Sequence, residues 1–135
     1  MNSKRLFVTK DDTFTLRVFY TKDGTLKVSK EADVPEKEKE NWEKFEVEFV
    51  LPDFGTAKGI MRASIENDKV NIGQFNNALL CSLARKWNLL DEEQKEIPLD
   101  LAKLNELRPD ITRMFVELLQ EKLSKEGLYD AILFS

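Results

Sequence analysis

The chain contains no histidine. That removes the side chain most often used as a general base near neutral pH, the usual activator of a serine or cysteine nucleophile, and the commonest nitrogen ligand of transition metals. Cysteine is almost as scarce. Cys81 stands alone, so no disulfide forms within the chain, and among Leu79, Leu80 and Leu83 it reads as a small hydrophobe, not a reactive thiol. Long apolar runs are missing too. No segment approaches the ~18 consecutive apolar residues of a membrane span, and MNSKRLFVTKDD carries no signal-peptide core. The expectation is a soluble cytoplasmic protein with no membrane partner. An excess of positive charge is also lacking: 21 Lys and Arg face 25 Asp and Glu, for a net charge of -4, which argues against a nucleic-acid partner.

Sites of chemistry are equally hard to assemble. Gly55, Gly59 and Gly73 fit neither phosphate-binding glycine pattern. Asp91-Glu92-Glu93 lacks the alternating ligands and central glycine of a calcium loop. Glu46 and Glu48 share the water-facing side of a strand, while Asp11-Asp12 and Asp23 belong to turns. Ser82 and Lys86, four apart, describe the polar face of a helix better than a nucleophile and its base. No catalytic residue, metal ligand or cofactor site is assigned, and the expectation is a protein that is not an enzyme.

What the chain does contain is patterned hydrophobicity, on 135 residues that suffice for one domain. Its surface is strongly charged, with 34% charged residues, 41% hydrophobic residues and a mean hydropathy of -0.44. Residues 1–51 read mainly as strands: Leu6–Thr9, then Phe14–Thr21, where Phe14, Leu16, Val18 and Tyr20 share one face. Asp23-Gly24 predicts a hairpin returning through Leu26–Ser29. Lys30–Lys44 is a charge-dense connector in which Trp42 either folds back on the core or awaits a partner. Phe45, Val47, Phe49 and Leu51 alternate with Glu46 and Glu48, the pattern of a half-buried antiparallel strand ended by Pro52.

Residues 52–135 read mainly as helix. Asp53 caps a helix through Ala57, Ile60, Met61, Ser64 and Ile65. Asn71 and Gln74 are spaced as a capping box, opening a helix whose stripe Ile72, Phe75, Leu79, Leu83 and Trp87 predicts that it ends at Trp87. After the polar break Asp91–Glu96, Pro98 suits the first position of a short helix carrying Leu101, Leu104 and Leu107. Pro109 starts the last long helix, with Ile111, Met114, Phe115, Leu118, Leu119 and Leu123 as its stripe and Gly127 as its stop. The tail residues Leu128, Ile132, Leu133 and Phe134 either pack on the domain or face another molecule. The fold class is α+β, with N-terminal antiparallel strands and a helical C-terminal half.

From Phe45 to Leu123 the succession FEVEFVLPDFGTAKGIMRASI, FNNALLCSLARKWNLLDEEQKEIPLDLAKLNEL and RPDITRMFVELLQEKL resembles the small tail-assembly chaperones of long-tailed bacteriophages. KWNLLDEEQKEIPL looks like their tryptophan, acidic turn and Pro-apolar passage, and the overlap covers a little over half the chain. The resemblance implies a non-enzymatic assembly factor in the host cytoplasm that binds the tape-measure protein, keeps it soluble and helps recruit tail-tube subunits. Some members also exist in a frameshifted, extended form. Aromatic, Met and Leu side chains suit such contacts, and Phe75, Leu83, Trp87, Met114, Phe115 and Phe134 are the candidates for the partner-binding surface. Two alternatives stay open: a structural virion component that forms a homo-oligomer through strand edges and its tail, and a small acidic inhibitor of a host enzyme.

Overall fold

Alternating apolar residues in two neighbouring segments generate the centre of the fold. In the computed structural model, which describes residues 3–134, these are β1 (Thr13–Thr21) and β3 (Trp42–Val50). They pair antiparallel along their whole length, from Thr13 opposite Val50 to Thr21 opposite Trp42. The short β2 (Val28–Ser29) joins the far side of β1, and β6 (Ala84–Trp87) joins β3, giving the sheet order β2-β1-β3-β6. Between β3 and β6 run α1 (Phe54–Ser64), the hairpin β4 (Ile65–Glu66) and β5 (Lys69–Val70), and α2 (Ile72–Leu83). After β6 come α3 (Leu101–Asn105), α4 (Pro109–Lys125) and α5 (Leu128–Leu133). The α+β reading is correct.

One face of the sheet is apolar and takes the helices. Phe45, Val47 and Phe49 are buried there beside Val18, and the Phe115 ring of α4 meets Phe45 edge-on, 5.1 Å between centroids at 81°. Phe14 stacks on Phe49 at 5.7 Å, and Trp87 lies 6.0 Å from Phe45. α1, α2, α4 and α5 complete this core with Ile60, Phe75, Leu79, Leu83, Leu119, Leu123 and Ile132. The opposite face is polar at its centre, where Arg17 pairs with Glu46 at 3.0 Å directly across the strands and Glu48 stands opposite Lys86, while Phe19, two residues beyond Arg17 on that face, is buried apart from the main core.

The first discrepancy lies at the end of α2, which stops at Leu83, four residues short of Trp87. Ala84 turns extended (φ -69°, ψ 133°) and the chain pairs with β3. Val47 faces Trp87 and Glu48 faces Lys86, but Phe49 faces Ala84, leaving Arg85 as the extra residue of a bulge. The bulge turns both Ala84 and Trp87 into the core although an odd number of steps separates them. A three-residue spacing of buried positions imitates a helix, and the periodicity alone could not separate the two. Sheet pairing prevails because continued helix would leave the second edge of β3 unpaired above the core.

Asn88 extends that pairing without being a strand residue. Its backbone N–H donates to the Glu46 carbonyl at 3.2 Å, its Oδ1 accepts from the Glu46 N–H at 2.9 Å, and its Nδ2 donates to the Lys44 carbonyl at 3.1 Å. The Trp87 indole N–H donates to the Ile97 carbonyl and ties down the far end of the following loop. Within that loop Asp91 Oδ1 accepts from the N–H groups of Glu93 (2.8 Å) and Lys95 (3.0 Å), which accounts for the polar break as an Asx turn.

Smaller departures have similar local causes. Leu6–Thr9 forms no strand; a 3-10 turn covers Ser3–Leu6, and Thr9–Asp12 is a turn in which Asp12 Oδ2 accepts from the Thr9 N–H at 2.7 Å. The Asp23-Gly24 hairpin exists, with Gly24 at φ +76°, but its loop is long and only Val28–Ser29 returns as strand. Pro98 is not a helix start: Asp100 caps α3, its Oδ1 accepting from the Lys103 N–H at 2.8 Å. Pro109 does open α4, Asp53 caps α1 through the Thr56 N–H at 2.7 Å, and Gly127 ends α4 at φ +71°. The capping box is half made. Asn71 Oδ1 accepts from the Gln74 N–H at 3.0 Å, but the Asn71 N–H already donates to Ser64 across the hairpin, so the Gln74 amide turns to Glu66 instead. Trp42, placed in the charged connector by the sequence, is the half-buried first residue of β3.

Two substitutions rank these interactions. Phe115→Ala, which empties the centre of the aromatic cluster, is expected to lower unfolding stability by about 3–5 kcal/mol. Asn88→Ala, which removes two exposed amide bonds to β3, is expected to cost about 1 kcal/mol. Urea denaturation followed by tryptophan fluorescence measures both, and an Asn88 effect as large as that of Phe115 would contradict this ordering.

Candidate partner-binding surface

The six residues singled out from the sequence divide into two groups. Phe75, Leu83, Trp87 and Phe115 are core residues, with exposures of 0%, 0%, 6% and 1%. Trp87 and Phe115 converge on Phe45, while Phe75 lies against Tyr129 with ring centroids 5.4 Å apart. None of the four can touch a partner while the fold stays closed. A one-sided sheet needs the helical stripes to cover it, and that requirement consumes them. Met114 and Phe134 do reach solvent. Met114 is half-buried beside a shallow 440 Å³ cavity lined by Pro109, Asp110, Arg113 and Glu117, and Phe134 is 81% exposed just beyond α5.

Other apolar side chains stand at the surface at positions that no long sequence pattern marks. Asn67 and Asp68 both have positive φ (51° and 63°), the geometry of a two-residue hairpin turn, so β4 and β5 project between α1 and α2. Ile65 and Val70 pair across that hairpin, and with Ile72 at the start of α2 all three are exposed. A cavity of 390 Å³ lined by Glu66, Asn67, Lys69, Val70 and Asn71 lies beside them. The signal was available in Asn67-Asp68, a dipeptide tolerant of left-handed backbone, lying between apolar residues. Phe54 is likewise exposed at the first position of α1, with the Lys58 ammonium 4.8 Å from its ring centre.

A polar triad crosses the helical layer next to Phe75. Gln120 Nε2 on α4 donates to Asn76 Oδ1 on α2 at 2.8 Å, and the Tyr129 hydroxyl on α5 donates to the same Asn76 oxygen at 3.2 Å. It gives α5 a directional bond in addition to the buried Ile132.

At the β6 end of the sheet a larger, polar cavity of 600 Å³ is lined by Tyr20, Lys22, Trp42, Glu43, Lys44, Asn88, Leu89, Leu90 and Gln94. The Tyr20 hydroxyl donates to Glu43 at 2.7 Å. Partial burial, then the hydrogen bond and the negative charge of Glu43, push the phenol up to about 12. Burial also raises the Cys81 thiol above its usual value, which keeps it protonated and a poor nucleophile near neutral pH. Ser82 and Lys86, read as one helical face, lie on different elements, α2 and β6. Among the described residues no three Asp, Glu or Cys side chains gather as a metal-binding group, and no helix is long and apolar enough to cross a membrane.

The Tyr20–Glu43 pair predicts a pH signature. A phenol with a raised folded-state value contributes stability that is complete below the unfolded value of 10.0 and is lost as pH climbs through about 12. Glu43→Gln removes the charge and leaves burial, so the Tyr20 transition followed by phenolate absorbance should move down toward, without reaching, the ordinary value; an unmoved transition would show that Glu43 has no part in it. Compared with known proteins, the chain matches no family model, no curated protein and no solved structure.

Proposed function

We propose that the chain is a phage tail-assembly chaperone, which binds and solubilises the tape-measure protein in the host cytoplasm and helps recruit tail-tube subunits. The observation that carries this reading is the set of large apolar side chains held at the surface of an otherwise charged molecule. Phe54 and Phe134 are 69% and 81% exposed, and Ile65, Val70 and Ile72 add an apolar edge beside the β4–β5 hairpin. Exposed apolar groups in number are a liability unless another surface covers them. A long helical tape measure offers such a surface, because its apolar stripes would aggregate if left in water. Aliphatic and aromatic contacts mask it reversibly, while the surrounding charges keep the complex dispersed. The resemblance carried by KWNLLDEEQKEIPL supports the same reading. No cofactor or metal enters this function.

The structural-component alternative draws on a different observation. β2 covers β1 only at Phe19 and Tyr20, so the edge from Phe14 to Val18 has no strand beside it among the described residues. Such an edge can pair with a second copy.

Co-expression with a phage tape-measure protein separates the two. The chaperone reading expects the tape-measure protein to become soluble and to co-purify, and the chain to be missing from finished virions. Replacing Phe54 and Phe134 together by Ser should reduce that recovery by about tenfold with the fold intact by circular dichroism. A tape-measure protein that stays insoluble, or a chain retained stoichiometrically in virions, overturns the reading.

A further inference from the structure

One segment of the helical layer is seated as a bound ligand would be. α5 packs on α1 and α4, buries Ile132, and lays the Tyr129 ring edge-on against Phe75 of α2. Asp130 and Ala131 between those anchors face solvent. Its link to α4 is Gly127, in a left-handed conformation that supplies no side-chain cap. Six residues do not hold a helix by themselves, so α5 takes its shape from the groove it lies in. The groove is therefore formed to fit an amphipathic helix that presents an aromatic and an aliphatic residue three positions apart, as Tyr129 and Ile132 do.

Of the three polar contacts under α5, two are made by Tyr129, whose hydroxyl donates to Asn76 Oδ1 at 3.2 Å and accepts from Gln120 Nε2 at 3.2 Å. The third, Gln120 to Asn76 at 2.8 Å, joins α4 to α2 directly and does not require α5. Its departure uncovers mainly apolar surface, with Phe75 at the centre. Phe134, exposed next to α5, is an apolar group that the cis helix does not seat. A longer partner helix would bury more than α5 does.

We propose that the groove between α1, α2 and α4 is the partner-helix site, that α5 occupies it in the free protein, and that an amphipathic helix of the partner binds by displacing α5. The proposal rests on the reading of the chain as a binder of a helical protein and adds where that helix lies and what guards the site. Covering the floor with a tethered segment keeps Phe75 out of water until a partner arrives, and lowers apparent affinity by the fraction of time the site is closed.

The test uses a fluorescent peptide of residues 126–135 and the full chain. Ile132→Ser in the chain frees the groove, so the peptide should bind that variant about tenfold more tightly than the unaltered chain, as removal of a tethered competitor requires. A peptide carrying the same Ile-to-Ser change should bind neither. Tryptophan emission of the variant checks that the core around Trp87 is unchanged. Should the variant not fold, the unaltered chain serves: with peptide in excess, amide exchange must speed up in α5 and not in α4. Equal affinity for both chains, or bound peptide with α5 protection unchanged, overturns the proposal. If the peptide behaves as expected while the tape-measure protein is not retained, the chaperone reading fails alone. If the tape-measure protein is retained and the peptide neither binds nor competes, the displacement of α5 fails alone.

Discussion

Phe45, Val47 and Phe49 place three large side chains on the same face of β3, and the Phe115 ring of α4 meets them from the helical layer. That contact joins the two halves of the chain. β3 is flanked on both sides, by β1 along its whole length and by β6 over its C-terminal part, so its register fixes those of its neighbours. With the register fixed, Val18 and Phe14 on β1 and Trp87 on β6 are delivered to the same apolar layer. A one-residue slip of β1 against β3 would turn Val18 outward and set Arg17 against the Phe115 side of the sheet. The polar outer face reinforces the choice. Arg17 stands opposite Glu46 and Lys86 opposite Glu48 in this register, although each half-exposed pair adds little by itself.

Much of this was readable in the residues. Alternation defined β1 and β3, side-chain oxygens at Asp53 and Asn71 marked two helix starts, and Pro109 and Gly127 bracketed α4, because each of those signals acts over a few residues. β6 was hidden for the opposite reason. Ala84–Trp87 has helical spacing and continues a good helical stripe, and only the need of the β3 edge for a partner, set by residues 35 to 40 positions earlier, makes it a strand. Asn88 belongs to the same class: its side-chain amide completes a ladder that sequence cannot reveal before the ladder is known. The β4–β5 hairpin is a different case. Asn67 and Asp68 carried the signal, but two-residue strands have no periodicity to accompany it.

The candidate contact residues followed the same rule. A stripe of Phe, Leu and Trp describes a surface that must be covered, and the stripe itself does not say whether the cover is the chain's own sheet or another molecule. Here the chain's own core takes Phe75, Leu83, Trp87 and Phe115, and the large apolar side chains left in water include several at element ends: Phe54 at the start of α1, Ile72 at the start of α2, Phe134 after α5. End positions escape burial because a helix packs through its middle turns. Apolar residues at such positions gain less from folding, so their presence is better evidence of an external surface than any residue of the central stripes.

The two kinds of apolar position meet at α5. Its anchor Ile132 is buried like a core residue, whereas Phe134, two residues on, is exposed like a contact residue. Leu133, the one residue between them, is half-buried, so the fold seats this end of the segment only in part. A segment built solely for stability would carry a polar residue at position 134. A segment built solely for binding would leave Ile132 exposed as well. Half-seating fits a helix whose hold on the groove is strong enough to shield Phe75 and weak enough to yield to a better-matched one, and that balance is set by what α5 lacks as much as by what it buries.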